Sequence, residues 1–161
     1  MTIGRIAAAA ILLAAVLAAV LIYYSQIHGF YEPVQLSDGS DTVRIQLVSA
    51  DTGRPEPIPA GDFRGIDADS SPLRFRGCFT TPSPLTALAE TFVIKDDAEP
   101  LIAPGWFDCF DAKAIGKALE EGEAIAFLGQ RNIRDGVDRV VAVFPDGRAY
   151  IWHQLNEKYR N

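Results

Sequence analysis

AIAFLGQRNIRDGVDRVVAVFPDGRAYIWHQL, residues 124–155, holds three strand patterns in 32 residues. Residues 124–129 form a short apolar run suited to a central strand, 137–144 form a longer one, and 148–155 alternate apolar and polar side chains. Pro145-Asp146-Gly147 joins the last two. Asp-Gly between strand patterns is a strong local hairpin signal, because glycine adopts the positive φ that a tight turn demands. Just upstream, Asp111 can cap a helix that carries Ile115, Ala118 and Leu119 on one face and ends at Gly122. The C-terminal half is therefore expected to be an antiparallel meander, with a helix packed on it and a β-hairpin at its end.

Working towards the N-terminus, residues 73–79 place Leu73, Phe75, Gly77 and Phe79 on one side of a strand and Arg74, Arg76 and Cys78 on the other. Ser83 can cap a short helix with Pro84 in its first position, running to about Glu90. Residues 91–95 are rich in β-branched and aromatic side chains and read as a strand. Residues 42–48 alternate and read as another. Residues 51–71, with three prolines and two glycines near their middle, read as one long loop, and 96–111 as a second. The expected fold is α+β: a small mixed or antiparallel sheet with two helices over residues 42–161.

The other end of the chain follows different physics. Residues 6–24 are nineteen consecutive uncharged positions, with nine Ile, Leu or Val, eight Ala and the pair Tyr23-Tyr24. As a helix they extend about 28 Å, the thickness of a bilayer core, and their insertion is favourable by about 4 kcal/mol. Arg5 precedes them and the first acids, Glu32 and Asp38, follow, which puts residues 1–5 in the cytoplasm and residues 25–161 outside. Residues 25–41, polar and interrupted by Gly29, Pro33 and Gly39, read as a tether. The rival reading is a signal peptide cut after Val16-Leu17-Ala18, against which the apolar run continues through Ile22. Ala10, Ala14 and Ala18 recur every four residues and would allow a second helix to approach closely in lipid.

Fifteen Lys and Arg face twenty-one Asp and Glu, a net charge of −6. That balance suits neither nucleic acid nor anionic lipid headgroups. Cys78 and Cys109 are the only cysteines, and outside the cytoplasm a disulfide between them is the default. Closing a loop of about thirty residues contributes about 3 to 4 kcal/mol in the chain-entropy model. His28 and His153 are the only imidazoles, too few for a zinc site without four distant segments converging. The acids at 67 and 69 and at 96, 97 and 99 lack calcium-loop spacing. No metal, cofactor or catalytic constellation is expected. Arg131, Arg134 and Arg139, interspersed with Asp135 and Asp138, read as local ion pairs. The densest local chemistry is Trp106-Phe-Asp-Cys-Phe-Asp111. Trp106, Phe107 and Phe110 either plug the core or, with Arg74 and Arg76 brought near by the disulfide, present a partner surface. Asp108 could pair with either arginine.

Phe79-Thr-Thr-Pro82, Gly105-Trp-Phe-Asp-Cys-Phe-Asp111, Asp138-Arg-Val-Val-Ala-Val-Phe-Pro-Asp-Gly147 and Trp152-His-Gln-Leu155 together resemble an alphaproteobacterial family of single-span membrane proteins with no assigned function. The resemblance covers most of the chain after residue 41 and implies a bacterial anchored domain, without supplying an active-site residue. The expectation is a single-pass protein of the inner membrane with a periplasmic domain. That domain would bind or stabilise another membrane protein, with ligand sensing, and then thiol-redox chemistry, as the alternatives.

Overall fold

The computed structural model describes residues 2–36 and 44–160. The chain divides into two units, with the boundary between Tyr31 and Glu32.

The first unit is α1 (Ile3–Ile27), 25 residues with no buried side chain. At 1.5 Å per residue it extends about 37 Å, and its most apolar stretch has a mean hydropathy of 2.8. It is long and apolar enough to cross a membrane. The helix takes in residues 25–27, which the polar composition assigned to a tether. Ser25 is accommodated there because its hydroxyl donates to the carbonyl of Ile22 one turn back, at 2.9 Å.

The second unit contains β1 (Glu32–Val34), β2 (Gln46–Val48), β3 (Pro55–Pro57), β4 (Gly61–Asp67), β5 (Arg76–Thr80), α2 (Leu85–Thr91), α3 (Ala112–Glu120), β6 (Ile125–Arg134), β7 (Val137–Val143) and β8 (Arg148–Leu155). Six strands form one antiparallel sheet in the order β1-β4-β5-β8-β7-β6, and β2 and β3 form a separate ribbon. The unit is α+β, as expected. Register places Gly65, Gly77, Ile151, Val141 and Phe127 in one row across the sheet, and Ile66, Arg76, Trp152, Val140 and Leu128 in the next. Adjacent rows face opposite sides. The first face packs against Ile45, Leu47 and Ile58 and against Leu88 of α2. On the second, Phe110 meets Trp152 and Tyr150 edge-on. Covered on both sides, β7 is buried at all seven positions, which is why its sequence is a near-continuous apolar run.

The C-terminal hairpin turns where Asp146-Gly147 indicates. Gly147 has φ +87°, the Asp146 carboxylate accepts the Arg148 backbone N–H at 3.1 Å, and the Thr81 N–H reaches the Gly147 carbonyl at 2.9 Å. Asp111 caps α3 by accepting the Ala114 N–H at 3.0 Å, and Ile115 and Ala118 are buried beneath it.

Four expectations change. Residues 51–71 are no loop: they contain β3 and the seven-residue β4, which lies between β1 and β5. Residues 32–34, assigned to the tether, pair with β4 as an edge strand, where Pro33 costs no ladder bond on the solvent side. Residues 91–95 shrink from a strand to two isolated bridges, Ser49 to Phe92 and Ile94 to Phe127, which stitch the ribbon to β6. Ser83 does not cap α2. Pro84 holds that position without a side-chain hydrogen bond, and the Ser83 N–H instead donates to the Thr81 hydroxyl. Residues 37–43, including the first part of the expected strand 42–48, lie outside the described residues.

Candidate functional site

Two residues along from the Gly65 row, the same face of the sheet turns polar. β7 and β8 pair Arg139 with His153, β6 pairs Gln130 with Arg139, and Asp67 ends β4 on the same side. Arg139 is only 8% exposed and His153 only 5%. The guanidinium lies over the Phe75 ring, 4.9 Å from its centroid, and its Nε donates to His153 Nε2 at 3.1 Å. A guanidinium can only donate, so His153 carries its proton on Nδ1, which donates to the Pro72 carbonyl at 2.7 Å. Burial, followed by the Arg139 charge and more weakly by Arg76 and Arg134, pushes the His153 pKa down to about 3. The imidazole is thus a neutral positioning group at physiological pH.

Burial also lowers Arg139 to about 10, against the partial compensation of Asp67. Asp67 itself is raised, chiefly by burial. No carboxylate lies within ion-pair distance of Arg139 among the described residues. These side chains line a cavity of about 710 Å³ together with Val34, Asp69, Ser71 and Arg134.

The opposite face of the same strand ends differently. Asp138 is fully buried. Its Oδ1 accepts the Asn132 N–H at 2.9 Å and Asn156 Nδ2 at 3.0 Å, while its Oδ2 lies 3.5 Å from Lys95 Nζ. Asn156 Nδ2 also reaches Asn132 Oδ1 at 2.8 Å, which steadies Asn132 in its left-handed conformation at φ 49°. Beside it, Gln154 accepts from Trp152 Nε1 and the Glu99 N–H and donates to the Asp97 carbonyl. These bonds fasten the segment around residues 95–99 onto the sheet.

The arginine-rich segment was expected to pair locally, and it does not. Asp135 pairs with Lys158, Asp138 with Lys95 and Arg131 with Glu157. Asp97 and Glu99, considered above as calcium ligands, both engage Arg160. Among the described residues no three His, Cys, Asp or Glu converge as a metal site would require.

Cys78 and Cys109 form a disulfide, with Cα atoms 6.3 Å apart. It draws the aromatic loop onto the sheet, and only part of that loop can serve as a surface. Phe107 and Phe110 are each 5% exposed, whereas Trp106 is 40% exposed and meets Phe107 edge-on. Arg76 is buried too, donating to the carbonyls of Leu73, Phe75, Leu101 and Ile102 and lying over the Phe110 ring. Phe107, Phe110 and Arg76 therefore belong to the packed interior, where the Arg76 guanidinium satisfies the Leu101 and Ile102 carbonyls of that segment from below. Asp108 pairs with Arg64 at 3.0 Å, not with Arg74 or Arg76, because β4 supplies a nearer cation that the loop reading of 51–71 concealed. Ala10, Ala14 and Ala18 share one exposed face of α1. A second cavity, about 740 Å³, lies between α3, residues 94–100 and the start of β6, and is lined by Ile94, Pro100, Lys113 and Leu119 among others.

A family model covers residues 45–161, nearly the whole of the second unit. The chain belongs to the family of unknown function DUF6446. No curated protein and no solved structure matches it. The matched region thus comprises five of the six strands of the sheet, the β2-β3 ribbon, both short helices and the disulfide, and α1 and β1 lie outside it.

Proposed function

We propose that this DUF6446 chain is a single-pass protein of a bacterial inner membrane, whose periplasmic domain binds or stabilises another envelope protein without catalysing a reaction. One observation carries this reading: nineteen uncharged residues within a 25-residue helix, with Arg5 on one side and the acidic domain on the other. The Cys78–Cys109 disulfide supports it, because such bridges persist in oxidising compartments. Residues 1–5 are then cytoplasmic, 6–24 span, and the partner contacts are Trp106 on the domain and the Ala10, Ala14 and Ala18 face in the lipid. Fusions at the C-terminus test it: an export-dependent phosphatase should be active and a cytoplasm-dependent fluorescent protein dark, with the chain retained in membranes after alkaline carbonate. The reverse reporter pattern, or release of a chain cut near Ala19, would overturn it.

A second reading, an extracytoplasmic ligand-sensing domain, is favoured by a different observation. The cavity at Arg139 is half-open, polar and within the size range of small-molecule sites.

A further inference from the structure

Arg139 is a buried cation without a carboxylate partner, an arrangement that costs several kcal/mol unless something compensates the charge. Its immediate surroundings fix its orientation, and Asp67, beyond ion-pair distance, compensates its charge only in part. Phe75 lies beneath the guanidinium plane, and His153, itself tied to the Pro72 carbonyl, takes the Nε hydrogen. Neither Nη1 nor Nη2 has a hydrogen-bond partner among the described residues, and the side chain lines the cavity. A pre-oriented pair of terminal guanidinium nitrogens matches the two oxygens of a carboxylate. A neutral imidazole behind it adds no competing charge.

The same cavity holds a second cation, the exposed Arg134, and acids as well. Asp67 and Asp69 line it and neither comes within 4 Å of Arg139. Asp135, also on its wall, is already paired with Lys158 at 2.6 Å. Two unpaired carboxylates disfavour a dianion such as phosphate, whereas a molecule bearing both charges would satisfy each side. We infer that this cavity binds a small zwitterion of the amino-acid class, its carboxylate against the Nη atoms of Arg139 and its ammonium held by Asp67 and Asp69. Ser71 and Val34 border the remaining space, which at about 710 Å³ accommodates a side chain as well as the two charged ends. This inference rests on the ligand-sensing reading and is independent of membrane topology, so the reporter fusions and the binding experiment fail separately.

The experiment uses the purified full chain in detergent. Its melting midpoint is followed with L-alanine, L-leucine, L-glutamate and L-arginine, and at equal concentration with propionate, propylamine and inorganic phosphate. At least one amino acid should raise the midpoint by about 5 °C at a hundredfold excess over its Kd, while the single-charge probes and phosphate bind at least about tenfold more weakly. Arg139→Lys keeps the charge and loses the fork, and should weaken that amino acid about tenfold or more. Asp69→Asn lies on the exposed rim, away from the core, and should erode the preference for the amino acid over propionate even if the Arg139 variant folds poorly. No stabilisation by any of the four amino acids would overturn the inference. So would propionate or phosphate binding as tightly as the amino acid, or affinity unchanged in both variants.

Discussion

Asp138 and Arg139 are neighbours in β7, both buried and both charged, and they project to opposite faces of one sheet. On Asp138's side each element packed against the sheet offers a partner: Lys95, Asn156 and the Asn132 N–H close around it. On Arg139's side Nε is used and the two Nη groups are not. A buried charge that is hydrogen-bonded through one oxygen and ion-paired through the other, as Asp138 is with Lys95 at 3.5 Å, holds segments together. One that is oriented but only partly compensated contributes little to folding and is free to meet a ligand.

That contrast can be broken first at its closed end. Asp138→Ala takes the buried acceptor from the Asn132 N–H and Asn156 Nδ2 and one of two carboxylates from Lys95, which keeps Asp97 at 3.0 Å, and should cost about 3 to 5 kcal/mol, read as a lower urea midpoint. Cutting the staple beside the aromatic loop, with Cys78→Ser and Cys109→Ser together, should cost about 3 to 4 kcal/mol by the same measurement, since the bridge closes a separation of 31 residues.

The open end should announce itself through pH. His153 titrates near 6.5 when unfolded and near 3 when folded, so the unfolded chain binds more protons between those values. Stability contributed by the neutral ring is complete above about pH 6.5 and falls by about 1.4 kcal/mol per pH unit below it. Asp67, raised by burial, opposes this slope over its own titration. Urea midpoints from pH 7 to 5 should therefore decline, and His153→Gln should flatten the decline. Smallest of all, Asp108→Asn breaks an ion pair whose members are 58% and 77% exposed, and should leave the midpoint within about 0.5 kcal/mol of the parent.

Much of the frame was legible in the residues. The meander, the Asp111-capped helix and the pairing of the two cysteines follow from period, turn chemistry and compartment. A second hairpin, at Asp135-Gly136, uses the same dipeptide as the one at 146–147, yet two arginines and an asparagine before it concealed a strand that runs to Arg134. β4 was concealed for a tertiary reason. Gly61 and Gly65 break its pattern, and the strand is made by Phe63, whose ring closes over the cross-strand pair Gly65 and Gly77. A Cβ at Gly77 would come within 2.9 Å of that ring and 2.7 Å of Ile151. The cavity was concealed because its members, Asp67, His153 and Arg139, come from three strands, one of which read as loop. The one local signal was a charged dipeptide, Asp138-Arg139, inside a valine-rich strand buried on both faces.

The most direct measurement is the urea midpoint of Arg139→Met at neutral pH, without added ligand. Methionine keeps a flexible apolar stem over Phe75 and removes the partly compensated charge. A guanidinium held for a ligand predicts stability within about 1 kcal/mol of the parent, or above it. A loss of about 3 to 5 kcal/mol, equal to that of Asp138→Ala, would contradict it and make Arg139 a structural residue like its neighbour.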